Sequence, residues 1–157
     1  ARFDEEANLH WKAVLEEEGV NVLIGMPNMK VHAKLCVIKK KQFNRIKYYG
    51  FVSTGNFNES TSKVYGDHLL FTSHAQILRD VNAVFMYLEK PMLKKNPLDA
   101  LKILIATPNH MRPYFLNLIQ QEIKKHKSTK QGQVIIKLNS LVDEILIEKN
   151  NMLTMSY

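Results

Sequence analysis

KVHAKLCVIKKK, residues 30–41, is the stretch whose reading decides the fold. Its middle, LCVI, is a short apolar run of the kind a buried strand supplies. Its start carries His32 and Lys34, and residues two apart on a strand point to the same face. A lysine on the inward face of a core strand must be paired or suffer desolvation. Facing the end of a sheet together, the two side chains suit a phosphoryl group. A neutral imidazole offers a nucleophilic nitrogen, and an ammonium offsets charge on the phosphoryl oxygens. A lone histidine is most often structural; Lys34 beside it turns the reading toward chemistry.

Working outward, the pattern alternates helices and strands. Residues 4–18 read as a helix, with Asp4 as N-cap, Glu5 and Glu6 at the positive end and Gly19 as the stop. Leu9, Ala13 and Val14 would form its apolar side. Strands are expected at 20–25, 34–40, 45–53 and 67–73, with a basic turn between the second and third and a GNFNES loop at 55–60. A helix over about 74–88 would bury Ile77, Val81, Val84, Phe85 and Leu88. KPMLKKNPLD then reads as a linker. Beyond it come a strand at 101–106, a long helix at 111–127, a strand at 133–139 and the start of a helix in 141–149. The fold class is α/β, a mixed-sheet sandwich with helices. The expected division is a first half at 1–89, a linker at 90–97 and the start of a second half at 98–157.

Size and composition agree. The 157 residues are 45% hydrophobic and 24% charged, which is globular and enough for a real core. No apolar run approaches the ~18–20 residues of a membrane span, and the N-terminus lacks the order of a signal peptide. The sequence opens without Met almost directly into helix pattern, which suggests a piece of a longer chain. Cys36, the single cysteine, reads as a buried thiol, and a cytoplasmic location is expected. The net charge is +7 and uneven: KKKQFNRIK (39–47) and KKHKSTK (124–130) hold no acid. An anionic partner fits these runs, and so does a solvated basic turn.

TGNFN, 54–58, follows the third expected strand and so should sit at a strand end. Gly55 permits a tight turn, and Asn56 and Asn58 offer amide donors without charge. Asn58 suits a hydrogen bond to a phosphoryl oxygen or to His32. His-x-Lys followed about two dozen residues later by Gly-x-x-Asn resembles the signature of the phospholipase D superfamily. In that signature an aspartate follows the lysine after four residues; here Lys39 holds its place, which counts against a phosphodiesterase. One branch lacks the aspartate. ARFDEEANLHW, VHAKLCVI, STGNFNESTSKVYGD and IIKLNSLVD resemble bacterial polyphosphate kinase, type 1, over roughly residues 1–147, whereas the tail NNMLTMSY does not.

The resemblance implies a phospholipase D-like fold and a reversible transfer of the terminal phosphate of ATP to polyphosphate through a phosphohistidine. By motif position that histidine is His32, with Lys34 and Asn58 as its catalytic company. Arg2 would meet the phosphates near the metal, Tyr65 the nucleotide. Asn56 and Asp67 are support residues, Asp67 as an acceptor for the His32 ring. In the family Thr precedes the aspartate where Gly66 stands here. Mg2+ is the implied cofactor; ATP, ADP and polyphosphate are the implied partners, with no nucleic acid as substrate and a homo-oligomer for the full-length protein. The second half of the family's site supplies an arginine and a histidine that lie beyond this sequence. A fragment with little complete turnover of its own is therefore expected. Two other readings compete: a dimeric phosphodiesterase or nuclease with one motif per subunit, and a non-catalytic polyanion-binding module.

Overall fold

A computed structural model gives the structure of the protein and describes residues 5–26, 29–91, 93–107, 109–138 and 140–154. The chain divides into two compact units, residues 1–100 and 101–157. No described helix is long and apolar enough to cross a membrane.

The first unit is built on an antiparallel sheet of order β1-β2-β3, with β1 at Lys34–Gln42, β2 at Arg45–Ser53 and β3 at Leu69–Thr72. β1 and β2 pair without a break from Lys34↔Ser53 to Gln42↔Arg45, and β3 adds from Gly50↔Thr72 to Ser53↔Leu69. The hairpin turns on Phe43 and Asn44, both at positive φ (47° and 58°). That is the geometry a two-residue connection needs to match strand twist. Asparagine tolerates it; the phenylalanine sits there at a cost of ~1–2 kcal/mol, its ring 92% exposed.

Helix α1, Glu5–Glu17, ends where Gly19 takes φ +78° and donates to the Glu16 carbonyl at 3.0 Å. Asp4, the expected cap, lies outside the described residues. Leu9, expected on the apolar side, is exposed. The short α2, Glu59–Ser62, follows the TGNFN loop, and α3, Ala75–Glu89, covers one face of the sheet. The contact that seats α3 is Leu78 over Gly50. Leu78 is fully buried, and a Cβ on Gly50 would stand 2.8 Å from its Cδ2 and against the Cys36 carbonyl. Val81, one turn on, is also fully buried, and Leu98 on the 3-10 turn Pro97–Ala100 closes the same core. Cys36 is half-buried.

In the second unit α4, Met111–Thr129, packs on α5, Glu144–Thr154. Ile119 and Ile123 are buried against Val134 and Leu146. Asp143 starts α5: its Oδ1 accepts from the Leu146 N–H at 3.1 Å and its Oδ2 from Arg112 at 2.6 Å. The Leu146 N–H, followed by Arg112, holds the Asp143 carboxyl below its ordinary range against the opposing pull of desolvation.

The mixed α/β class is as expected, as are helices α1, α3, α4 and α5 and the strands β1, β2 and β3; the short α2 begins where only a loop was expected. Three expected strands are corrected. Residues 20–25, 101–106 and 133–138 are not in strands, and among the described residues the sheet is wholly antiparallel. A strand is defined by its ladder, and none of these apolar stretches has another backbone to pair with among the described residues. Some of their apolar side chains stay exposed, Ile135 at 85%, while Val22, Leu104, Ile105 and Val134 are half-buried.

Candidate functional site

β1 begins at Lys34, so His32 lies just ahead of the strand. Lys30, His32 and Lys34 all line one groove of about 790 Å³ in the first unit, as do Val31 and Ala33 between them, so alternation is not what selects the lining. Asn8 of α1, Asn21 and Asn56 add three amides, and Leu23, Ile24, Phe85 and Leu88 are among its apolar walls. Among the described residues the lining holds three basic side chains and no carboxylate. Such a concavity favours anions, because a ligand oxygen can meet a cation or an amide donor.

Lys34 is folded onto His32. Its Nζ donates to the His32 carbonyl at 2.8 Å and stands 3.1 Å from both Nδ1 and Nε2. The two ring lone pairs diverge, and a ring carbon lies between the nitrogens. An equidistant ammonium at this range therefore sits over the ring face, in the cation–π position, rather than on either lone pair. Both ring nitrogens keep their in-plane directions for other work. Loss of water around Lys34, and then the charge of Lys30, draw its pKa below the ordinary lysine range, while the Asp67 carboxylate pushes it back up. A phosphoryl group entering the groove would relieve the repulsion between the two lysines.

The TGNFN loop is fastened to the residues ahead of β3. The Thr54 hydroxyl donates to Asp67 Oδ1 at 2.9 Å and accepts from the His68 N–H at 3.0 Å. The Thr54 N–H donates to the His68 carbonyl at 3.0 Å, and the Gly55 N–H to Ser53 Oγ at 3.1 Å. Gly55 is buried because Asp67 lies on it: a Cβ there would come 2.8 Å from the Asp67 Cβ and into its carboxylate. Asp67 thus has Thr54 as hydrogen-bond partner and Lys34 as the cation it acts on; the expected bond to the His32 ring is not formed.

Asn58 caps α2, its Oδ1 accepting from the Thr61 N–H at 3.1 Å, and does not line the groove. Tyr65 is exposed beyond α2 and also stands apart from the lining residues. Arg2 lies outside the described residues. The structure therefore brings His32, Lys34 and Asn56 together, with Asp67 acting on Lys34 from behind. Sequence reasoning missed Lys30, whose closeness to His32 in the chain was the signal, and Asn8 and Asn21, for which no local pattern exists. No group of three His, Cys, Asp or Glu side chains among the described residues could hold a metal ion.

Comparison with known proteins identifies the family. Residues 1–94 match the family profile described as Polyphosphate kinase C-terminal domain 1, and residues 104–152 that of Polyphosphate kinase C-terminal domain 2. A polyphosphate kinase of Vibrio cholerae is 40% identical over 151 residues, which is 95% of this chain and 21% of the relative. One from Escherichia coli is 37% identical over 149 residues, with the same coverage. The crystal structure of polyphosphate kinase from Porphyromonas gingivalis superposes with a TM-score of 0.79 at 31% identity, covering 99% of this chain and 26% of that one. The chain spans about a fifth of the length of the curated relatives it matches.

Proposed function

The chain belongs to the polyphosphate kinase family, and we propose that it carries the phosphoryl-accepting histidine of an ATP:polyphosphate phosphotransferase. The observation that supports this reading is the groove in which Lys30, His32 and Lys34 converge with no acid among its described lining residues. In the first step a ring nitrogen of His32 attacks the terminal phosphorus of ATP. The P–N bond forms, the bond from phosphorus to the ADP oxygen breaks, and ADP leaves with that electron pair. In the second step a terminal oxygen of polyphosphate attacks the same phosphorus. The P–N bond breaks and the imidazole is restored. Both steps are reversible, and splitting the transfer this way is covalent catalysis.

Lys34 and Lys30 would offset charge on the equatorial oxygens, and the Asn56 amide would orient one of them; phosphoryl transfer asks for little beyond such alignment. Asn58, held as the cap of α2, would fix the loop that carries Asn56. Tyr65 and Arg2 are assigned to nucleotide and phosphates by motif position alone. The described groove residues do not fit a resident magnesium ion, because none of them is a carboxylate. Magnesium usually keeps its waters and the substrate's phosphates as ligands, so the ion is assigned to the incoming nucleotide. ATP, polyphosphate, a cytoplasmic location and oligomeric assembly belong to this same reading.

The test is the covalent intermediate. The protein is mixed with Mg-ATP and, separately, with polyphosphate, alone and with the remaining segment of a full-length relative added in trans. Intact mass and phosphorus NMR should then find an acid-labile, alkali-stable phosphoramidate that His32→Ala lacks. A phosphoramidate that persists in His32→Ala, or none under any of these conditions, refutes the assignment.

A further inference from the structure

The β1–β2 hairpin carries five cations and no acid: Lys39, Lys40, Lys41, Arg45 and Lys47. The register sorts them by face. Lys40 stands directly opposite Lys47, and Arg45, opposite Gln42, is two residues from Lys47. These three share one face, with Lys39 and Lys41 on the other. All five are exposed, and none has an ion-pair or hydrogen-bond partner among the described residues. Elsewhere in the chain some cations find acids: Lys12 pairs with Glu16, Lys63 with Glu59 and Lys125 with Glu122. Like charges directly opposite each other weaken an antiparallel ladder. A hairpin that keeps such a pair with no acid beside it is stabilised by an anion laid across it.

Lys34 is on the same face as Lys40, six residues away, or ~20 Å along the strand. Between them the face is apolar: Cys36 opposite Phe51 and Ile38 opposite Tyr49. The hairpin is therefore a separate contact point and not an extension of the groove. We propose that Lys40, Arg45 and Lys47 form a distal capture site for long inorganic polyphosphate, holding a part of the chain remote from the end that reaches His32. The proposal rests on the polyphosphate reading above. A flexible linear polyanion can bridge the apolar interval; a triphosphate in the groove is too short to do so.

The test compares long-chain polyphosphate with tripolyphosphate by calorimetry at two salt concentrations. The triple variant Lys40→Ala/Arg45→Ala/Lys47→Ala should bind the long chain about tenfold more weakly with a shallower salt dependence. Its tripolyphosphate affinity should stay within about twofold of the parent's. Lys39→Ala/Lys41→Ala, on the opposite face, should lose less than about threefold for the long chain. Lys47→Gln, a single exposed change, repeats the comparison should the triple variant fold poorly: about a threefold loss for the long chain and none for tripolyphosphate. Phosphorylation of His32, read separately by mass, should be untouched in every variant, so failure of the phosphohistidine reading is distinguishable. Equal losses for both ligands, no loss, or an equal effect from the opposite face would overturn the proposal. So would duplex DNA displacing long-chain polyphosphate at equal concentration of phosphate.

Discussion

Replacing Gly55 by alanine sets two effects against each other, and the local packing decides the sign. At a position with ordinary φ and open space, Gly→Ala stabilises by ~0.4–1 kcal/mol, by restricting the unfolded chain. Gly55 is not among the glycines at positive φ, so its backbone would accept alanine. The space would not: the new Cβ would lie 2.8 Å from the Asp67 Cβ and closer to its carboxylate. That carboxylate cannot swing away without losing the 2.9 Å bond from Thr54, whose hydroxyl also holds the His68 N–H. Overpacking of this kind costs ~1–3 kcal/mol. After the entropic gain, net destabilisation is about 1–2 kcal/mol, or roughly a 5–10 °C fall in Tm for a unit of about 100 residues. Thermal and urea unfolding of the parent, Gly55→Ala, Asp67→Ala and the double variant form a cycle. Asp67→Ala removes the carboxylate and leaves its Cβ, so the cost of Gly55→Ala should shrink by ~0.5–1 kcal/mol in that background. A rise in Tm for Gly55→Ala, or strict additivity, refutes the reasoning.

Two pH dependences follow from the named partners. Lys34 sits below the ordinary lysine range because it is drawn out of water and faces Lys30, and only its charged form attracts an anion. Tripolyphosphate binding should therefore weaken as pH rises through the lowered Lys34 pKa, earlier than an unperturbed lysine at ~10.4 would dictate. Lys34→Arg should remove that alkaline limb in calorimetric titrations, and an unchanged limb would discard the idea. Asp143 is held below its ordinary carboxyl range by the Leu146 N–H and by Arg112. Its contribution is complete above the unfolded-state value and disappears as pH falls through the lower folded one. Between about pH 5 and 2 the parent should lose more Tm than Asp143→Asn, which keeps an N-cap oxygen but cannot titrate; parallel curves would remove Asp143 from the acid response.

The strands and helices that were legible in the sequence are those whose partners lie nearby in the chain. β1 and β2 are joined by two residues, and β2 reaches β3 through a loop tied down by Thr54 and Asp67. Their apolar pattern and their pairing are satisfied together. VNVLIG, LKILIA and QVIIKLN carry the same kind of pattern, but pattern encodes only which face seeks burial, not whether a ladder exists. Leu78 was passed over although it lies three, seven and ten residues from Val81, Phe85 and Leu88, on the same helix face; what the spacing does not encode is the missing side chain at Gly50 that lets it sink fully onto the sheet.

The site divides along the same line between local and long-range information. The closeness of His32 and Lys34 in the chain is local information, and the whole run from Met29 to Lys34 lines one groove although the strand begins only at Lys34. The position of the Lys34 ammonium over the imidazole face follows from its reach back to the His32 carbonyl, which residue spacing does not encode. Asp67 was expected to serve the imidazole as a hydrogen-bond acceptor. The fold gives it to Thr54 instead, and lets its charge act on Lys34. That exchange moves the acid's role from the nucleophile to the cation beside it. Asp67→Asn should therefore change anion affinity in the groove more than the intrinsic rate at which bound His32 is phosphorylated, the reverse of what an aspartate orienting the ring would do.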